Sequence, residues 1–309
     1  MIKLKNRITL QPMFDYRILL RSLLRTANDA SIISNSARSS FDLSLYSILK
    51  QNKYKSILIP DFICSEIIPI IQKHKLNIIF YSINETLDPD IDIISSKLKF
   101  ESSIILLVNY FGKSSDWKSA QELKKRYDCI IIEDNAHSLF GQYNETEFGE
   151  LGDISFNSLR KSLPVLSGSV LRFNKHNNMN KKLKTRFLDI AEFKYSLRRF
   201  KPYFKNHILT SSNKDMQTTY DNTQSVDYFS NKIYLYLTSQ REAICSQRML
   251  NYNYWVDFHK KSDLEIIDLS SAKCPYAAPF ICSDFNTCEK WLKWGEKNNI
   301  GIIKWPNLP

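Results

Sequence analysis

From about residue 30 to 175 the chain alternates short apolar runs with longer stretches whose apolar positions recur at helical spacing. Residues 56–59, 77–81, 103–109, 129–133, 153–155 and 169–173 read as strands, and most are near-continuous in Ile, Leu and Val. Such runs suit parallel strands covered on both faces, because neither face meets water. Between them, residues 39–51, 65–74 and 116–127 read as helices. In the last, Asp116 serves as N-cap and Trp117, Ala120 and Leu123 supply the apolar positions. The alternation predicts an α/β unit, a mostly parallel sheet flanked by helices. Ligands of such sheets sit beyond the carboxyl ends of the strands, so polar residues just after strands are the first candidates for chemistry.

The texture changes after Asn174. Residues 174–184 and 211–225 are polar and read as exposed connection, with a helix between them over 185–200. Residues 228–254 read as helix rich in aromatics, and the end of the chain as strand (278–282), helix (286–297) and strand (300–305). The expected organisation is a large domain over 1–175 with residues 1–30 as an arm. A helical and loop connection over 176–240 and a smaller α+β C-terminal domain over 241–309 follow.

Composition narrows the function classes. Hydrophobic residues make up 43% of the 309, enough for a sizeable core. The net charge of +11 suits a polyanion or an anionic metabolite. The basic clusters at 181–186 and 198–205 match no nucleic-acid motif, so no nucleic acid is expected as partner. The six cysteines never form a CxxC pair, which argues against a zinc ribbon or redox motif, and no metal is expected. No apolar run approaches ~20 residues and the N-terminus lacks a signal-peptide core, so a cytoplasmic protein without membrane insertion is expected.

Two segments carry candidate chemistry. The run Ile130 to His137 ends a buried strand in Glu133-Asp134, and alternation sends these two side chains to opposite faces. An acid there can keep the pyridine nitrogen of pyridoxal 5'-phosphate (PLP) protonated, so that the ring accepts electrons. Asp134 is the candidate, with Ala136 small enough to lie under a ring and His137 within reach of its phenolic oxygen. Downstream, Ser155, Ser158, Arg160 and Lys161 follow Gly152. Hydroxyls and exposed amides suit a phosphate, and a lysine near low-dielectric walls can lose its proton and attack an aldehyde. Taken singly, the segments also fit an acidic turn capping a helix and a polar loop with two solvated cations.

Together, Glu133-Asp134-Asn135-Ala136-His137, the stretch from Gly149 to Phe156 and the following Lys161 resemble the DegT/DnrJ-type sugar aminotransferases. These are fold-type I PLP enzymes, often acting on nucleotide-linked keto-sugars for surface polysaccharides or antibiotics. Ser36–Leu45, Ile57–Cys64, Asn109–Lys113, Pro279-Phe280 and Gly301–Pro306 resemble further segments of the family, so the likeness covers roughly 30–175 and 275–309. It implies that Asp134 pairs with the pyridinium nitrogen and that Lys161 is the Schiff-base lysine and proton shuttle. It places His137 near the phenolic oxygen. Ser155 or Ser158, with backbone amides at Ser36, Ala37 and Arg38, would hold the phosphate, and Phe62 or Cys64 lies where an aromatic stacks on the ring. An amino donor, a sugar substrate and a homodimer with active sites at the subunit boundary are implied in the same way.

Three departures qualify the likeness. The glycine-rich, glutamate-containing stretch that follows the family's lysine is here Pro164 to Val170, and Ser155 lies one residue further from the lysine than in many members. Relatives continue beyond Pro309 through another helix and strand, so a shortened small domain is expected. Relatives that dehydrate sugars typically carry histidine at the lysine position, and Lys161 favours transamination. The competing expectation is a catalytically silent PLP-fold paralogue acting as a binding or partner subunit.

Overall fold

A computed structural model describes residues 12, 16–23, 32–50, 53–175, 183–187, 224–260, 262, 264–305 and 308–309. Its strands are β1 (Ile32–Ser34), β2 (Ser56–Pro60), β3 (Asn77–Tyr81), β4 (Ser103–Val108), β5 (Cys129–Asn135), β6 (Gln142–Tyr143), β7 (Thr146–Glu147), β8 (Ile154–Asn157), β9 (Ser169–Phe173), β10 (Lys184–Arg186), β11 (Gln224–Asp227), β12 (Glu265–Ile266) and β13 (Phe280–Ile281). Nine of them form one sheet in the order β10-β11-β1-β9-β8-β5-β4-β2-β3. The run β3-β2-β4-β5-β8 is parallel throughout, and β9 enters antiparallel between β8 and β1. Because β1 is antiparallel to β9, it points the same way as β8. The ends of β1, β2, β4, β5 and β8 therefore share one edge.

The expected strands recur with small shifts. β5 runs two residues further than its apolar run, because Asp134 and Asn135 stay in register with Val108, Phe156 and Asn157. Both sheet faces are covered. Ile130 and Ile132 pack with Phe41, Leu106 and Phe156 on one face, and Cys129 and Ile131 with Trp117, Ala120 and Leu123 on the other.

The helices follow their caps. Ser36 caps the helix Ala37–Leu49 by accepting the Ser39 N–H at 3.2 Å, so this helix begins and ends two residues before the predicted span. Asp116 caps Trp117–Arg126 as expected, accepting the Ser119 N–H at 3.1 Å. The predicted helix over 65–74 is a 3-10 turn, Ser65–Ile67, leading into Ile68–Lys73. The helix Ile91–Leu98 escaped the sequence pattern. It is only eight residues long, shows one buried pair at i,i+4 (Ile94 and Leu98), and depends on the Asp90 cap.

Four expectations change. Residues 228–254 form two helices, Tyr228–Thr238 and Arg241–His259. The break follows Thr238 and Ser239, whose hydroxyls bond back to the carbonyls of Tyr234 and Tyr236 and compete with the backbone ladder. The N-terminal end of the helix expected over 185–200 is strand β10, and residues 188–200 lie outside the described residues, as do both basic clusters apart from 183–186. Residues 224–227, expected in the connection, join the main sheet beside β1. Residues 300–305 are not a strand. Among the described residues only Ile300 makes a bridge and 301–305 join no strand, and Ile302 instead packs on Gly295, where a Cβ would lie 2.8 Å from its side chain.

Among the described residues no helix is long and apolar enough to cross a membrane.

Asp42 fastens the helix Ala37–Leu49 to Ile68–Lys73. Its fully buried carboxylate lies 2.6 Å from His74 Nε2 and accepts from Lys73 Nζ at 2.8 Å. Burial alone would push its pKa up, but the hydrogen bonds and charges of His74 and Lys73 outweigh that and hold it below the ordinary value. A depressed folded pKa gives stability that is present above the unfolded value of about 3.9 and lost as pH falls through the folded one. Asp42→Asn is expected to lower unfolding free energy by about 1–3 kcal/mol at pH 7, with the deficit shrinking below about pH 4. Urea melts of both proteins at several pH values check this.

Candidate active site

Alternation along β5 decides which acid faces the cavity side. Glu133 turns to the face of Trp117. There its buried carboxylate accepts the N–H groups of Gly149 at 2.7 Å and of Leu151 and Gly152 at 3.1 Å, and Asn135 Nδ2 at 2.8 Å. Asn135 is tied in turn to Asn109, whose Oδ1 accepts Ser115 N–H and Trp117 Nε1. Asp134 turns to the opposite face, where Oδ1 accepts the Ala136 N–H at 2.7 Å. Its other oxygen accepts no hydrogen bond among the described residues. Burial raises its carboxyl to about 6, against the pull of the Ala136 N–H and the Lys161 charge.

Lys161 lies on a single helical turn, Leu159–Ser162, just past the end of β8. Desolvation lowers its pKa, while Cys64 and Asp134 draw it back up. Burial likewise pushes the Cys64 thiol up. Asp134, Cys64 and Lys161 thus come together from the ends of three strands. Gly168, at φ 119°, stitches this turn to the sheet: its carbonyl accepts the Leu159 N–H at 3.0 Å and its N–H donates to Asn35 O at 2.8 Å. The Lys161 turn and the N-terminus of Ala37–Leu49 are thereby linked through one residue.

A cavity of about 1020 Å3 opens at this edge, with Lys161, His137, Phe62 and Phe111 on its inner wall. The helix Arg241–His259 and residues 275–282 and 300–305 form the outer wall, and no acidic side chain lines it among the described residues. His137 is clasped between Phe111 and Tyr276, with ring centroids 5.2 and 4.9 Å away and nearly parallel planes. Burial and then the Lys161 charge hold its pKa well below the ordinary 6.5, so the imidazole is neutral, and Nδ1 has no partner among the described residues. Phe111 sits in the left-handed region at φ 53°, held by its carbonyl accepting the Tyr276 N–H at 2.7 Å. Arg248, reaching in from Arg241–His259, donates to the carbonyls of Ser162 at 2.9 Å, Tyr276 at 3.1 Å and Pro275 at 3.4 Å. One guanidinium therefore joins the lysine turn to the segment that covers His137.

The remaining candidates divide. Ser155 pairs with Glu133 across the strands and shares its face, and its hydroxyl donates to Gly149 O at 2.7 Å, so it does not reach the cavity. Ser158 stands at the N-cap of the lysine turn without a side-chain cap bond. Ser36, Ala37 and Arg38 open the helix after β1 at the same sheet edge, outside the cavity wall. Helix N-termini bind phosphate through unpaired N–H groups and the dipole. Phe62 lines the cavity, whereas Cys64 lies beside it. Sequence reasoning missed Phe111, Arg248 and Tyr276 as site residues.

These residues fit PLP. A buried carboxylate with one open oxygen, a desolvated lysine, an unpartnered neutral imidazole nitrogen and a helix N-terminus match the cofactor's pyridine nitrogen, aldehyde, phenolic oxygen and phosphate. Residues 23–169 match the DegT/DnrJ/EryC1/StrS aminotransferase family. A GDP-4-keto-6-deoxy-D-mannose 3-dehydratase from Yersinia pseudotuberculosis is 28% identical over 107 residues, 33% of this chain and 27% of that protein. The alignment thus spans about a quarter of that relative. Among solved structures, the E. coli GDP-4-keto-6-deoxy-D-mannose-3-dehydratase with hydrated PLP superposes with a TM-score of 0.67 at 15% identity, covering 95% of this chain and 84% of that one. Helicobacter pylori PseC, an aminotransferase of pseudoaminic acid biosynthesis, gives 0.65 at 15% identity over 95% and 83%. These likenesses establish a fold-type I architecture.

Burial of Asp134 carries a cost in stability. A raised folded pKa means that the fold disfavours the ionised acid, so stability falls as pH rises from about 4 to about 6. Asp134→Asn keeps the bond to the Ala136 N–H and is expected to stabilise the cofactor-free chain at pH 7 by roughly 1–3 kcal/mol. The gain is expected to vanish below about pH 4, which thermal melts across pH read directly.

Proposed function

We propose that this chain is a PLP-dependent aminotransferase acting on a nucleotide-linked keto-sugar in the biosynthesis of surface polysaccharides or related sugars. The observation that carries the reading is the meeting of the buried Asp134 and the half-buried Lys161, each within the other's field, at one edge of the sheet. Bound there, PLP supplies an electron sink for the carbanion formed at the substrate carbon.

The chain's own residues do the rest. Asp134 holds the proton on the ring nitrogen and orients the ring. Lys161, whose ammonium is disfavoured by desolvation, would take a proton from the donor's Cα and return it. His137 Nδ1 would meet the phenolic oxygen, and the N-terminus of Ala37–Leu49 with Ser158 would receive the phosphate. The wall without acids leaves an anionic substrate unopposed, and Arg248 keeps the lysine turn in register with it.

The keto-sugar substrate rests on the family match and on the named activities of the relatives. A homodimer belongs to the reading because the resemblance places such sites at a subunit boundary. A cytoplasmic setting accords with six free thiols. The reading also includes a cofactor-binding unit, which takes in residues 224–227 because they join its sheet, and a smaller unit from about 241.

The test is an ultraviolet–visible titration with PLP. Wild type is expected to gain a visible band that Lys161→Ala lacks, and the band is expected to bleach when an amino donor is added. Asp134→Asn is expected to bind but to bleach about 10–100-fold more slowly, the loss of one charge-assisted hydrogen bond of about 1.5–3 kcal/mol. A wild type that binds PLP through Lys161 but bleaches with no amino donor would overturn the transaminase reading and leave the cofactor site standing.

A further inference from the structure

Trp305 reaches the sheet edge on a strap, residues 300–305, which leaves the helix Phe285–Lys297 through Asn299 at φ 59°. Ile302 moors the strap on Gly295. Among the described residues 301–305 belong to no strand, and the indole itself makes the inner contacts. Its ring centroid lies 4.8 Å from His137, 5.1 Å from Phe62 and 5.3 Å from Phe111, all edge-on, and 6.2 Å from Tyr110. The indole also draws the Cys64 thiol's pKa down against the rise that burial causes.

Asp134 stands near this cluster. Its charge is felt at Cys64 and Tyr110, yet its carboxylate is only 7% exposed and takes no part in the cavity wall that Lys161 and His137 share. A planar ring that stacked on Phe62 and met His137 would touch the same side chains as the indole. The indole suits that space, being flat, apolar and equipped with a single N–H donor.

We propose that Trp305 is a tethered plug: in the cofactor-free chain its indole occupies the slot of the pyridine ring, and the strap 300–305 swings out when PLP enters. The inference rests on the PLP reading. A site that is open only part of the time binds with an affinity reduced by the open fraction, so the plug weakens apparent cofactor affinity.

The experiment combines PLP titration with hydrogen–deuterium exchange on the full chain. Trp305→Ala is expected to bind PLP about tenfold more tightly or better, equivalent to about 1.4 kcal/mol, with Trp305→Phe between it and wild type. In wild type, PLP is expected to speed amide exchange in the peptide carrying residues 300–305 while slowing it around 134–137 and 159–162. This readout needs no variant to fold. Equal or weaker binding by Trp305→Ala, with exchange of 300–305 slowed by PLP, would overturn the plug and make Trp305 a wall of the loaded site. Failure of the PLP reading itself looks different: neither wild type nor Trp305→Ala then shows a Lys161-dependent band, and the plug falls with it.

Discussion

The buried carboxylate of Glu133 is the interaction on which the site depends. A charge taken fully out of water is tolerable only when its lone pairs are filled, and here three backbone N–H groups and the Asn135 amide fill them. In return the carboxylate fixes the turn from Gly149 to Gly152 that feeds β8, and with it the strand that ends before Lys161. It also pins the end of β5, so the next residue has no choice of face. Asp134 points where it does because Glu133 is held where it is.

Around that fixed strand end the site is assembled by tying together chain ends rather than by one rigid element. Gly168 joins the lysine turn to the start of Ala37–Leu49, and Arg248 joins it to the segment carrying Tyr276. Each tie uses backbone carbonyls as acceptors, so it constrains main-chain position and leaves the side chains of Lys161 and Tyr276 to meet ligand and His137. The electrostatics follow from the same burial. Desolvation pushes Asp134 and Lys161 toward their neutral forms, and their mutual field resists it.

Much of the sheet was legible because parallel strands covered on both faces announce themselves as apolar runs. Asp134 was legible for a related reason: a strand-end acid whose face follows from the pleat. Ser155 was not, since the hydroxyl's face depends on how β8 registers with β5, and no local pattern carries that. The 300–305 run looked like a strand because apolar residues that pack on a helix and apolar residues in a ladder read alike over so few positions. Arg248, Tyr276 and Trp305 act on residues far back in the chain, and contacts of that separation leave no periodic trace. The helix Ile91–Leu98 was lost to its brevity, with only its Asp90 cap to mark it.

The order in which ribosomal synthesis delivers these pieces gives the topology a temporal meaning. Domains generally fold as units, those nearer the N-terminus first, and all five parallel strands, with the Asp134 and Lys161 edge, lie before residue 162. Tyr276 and the rest of the outer wall emerge only afterwards. For that interval the nascent chain carries an aromatic hollow around His137 with one side missing. That surface stays exposed until residues 241–305 arrive to cover it.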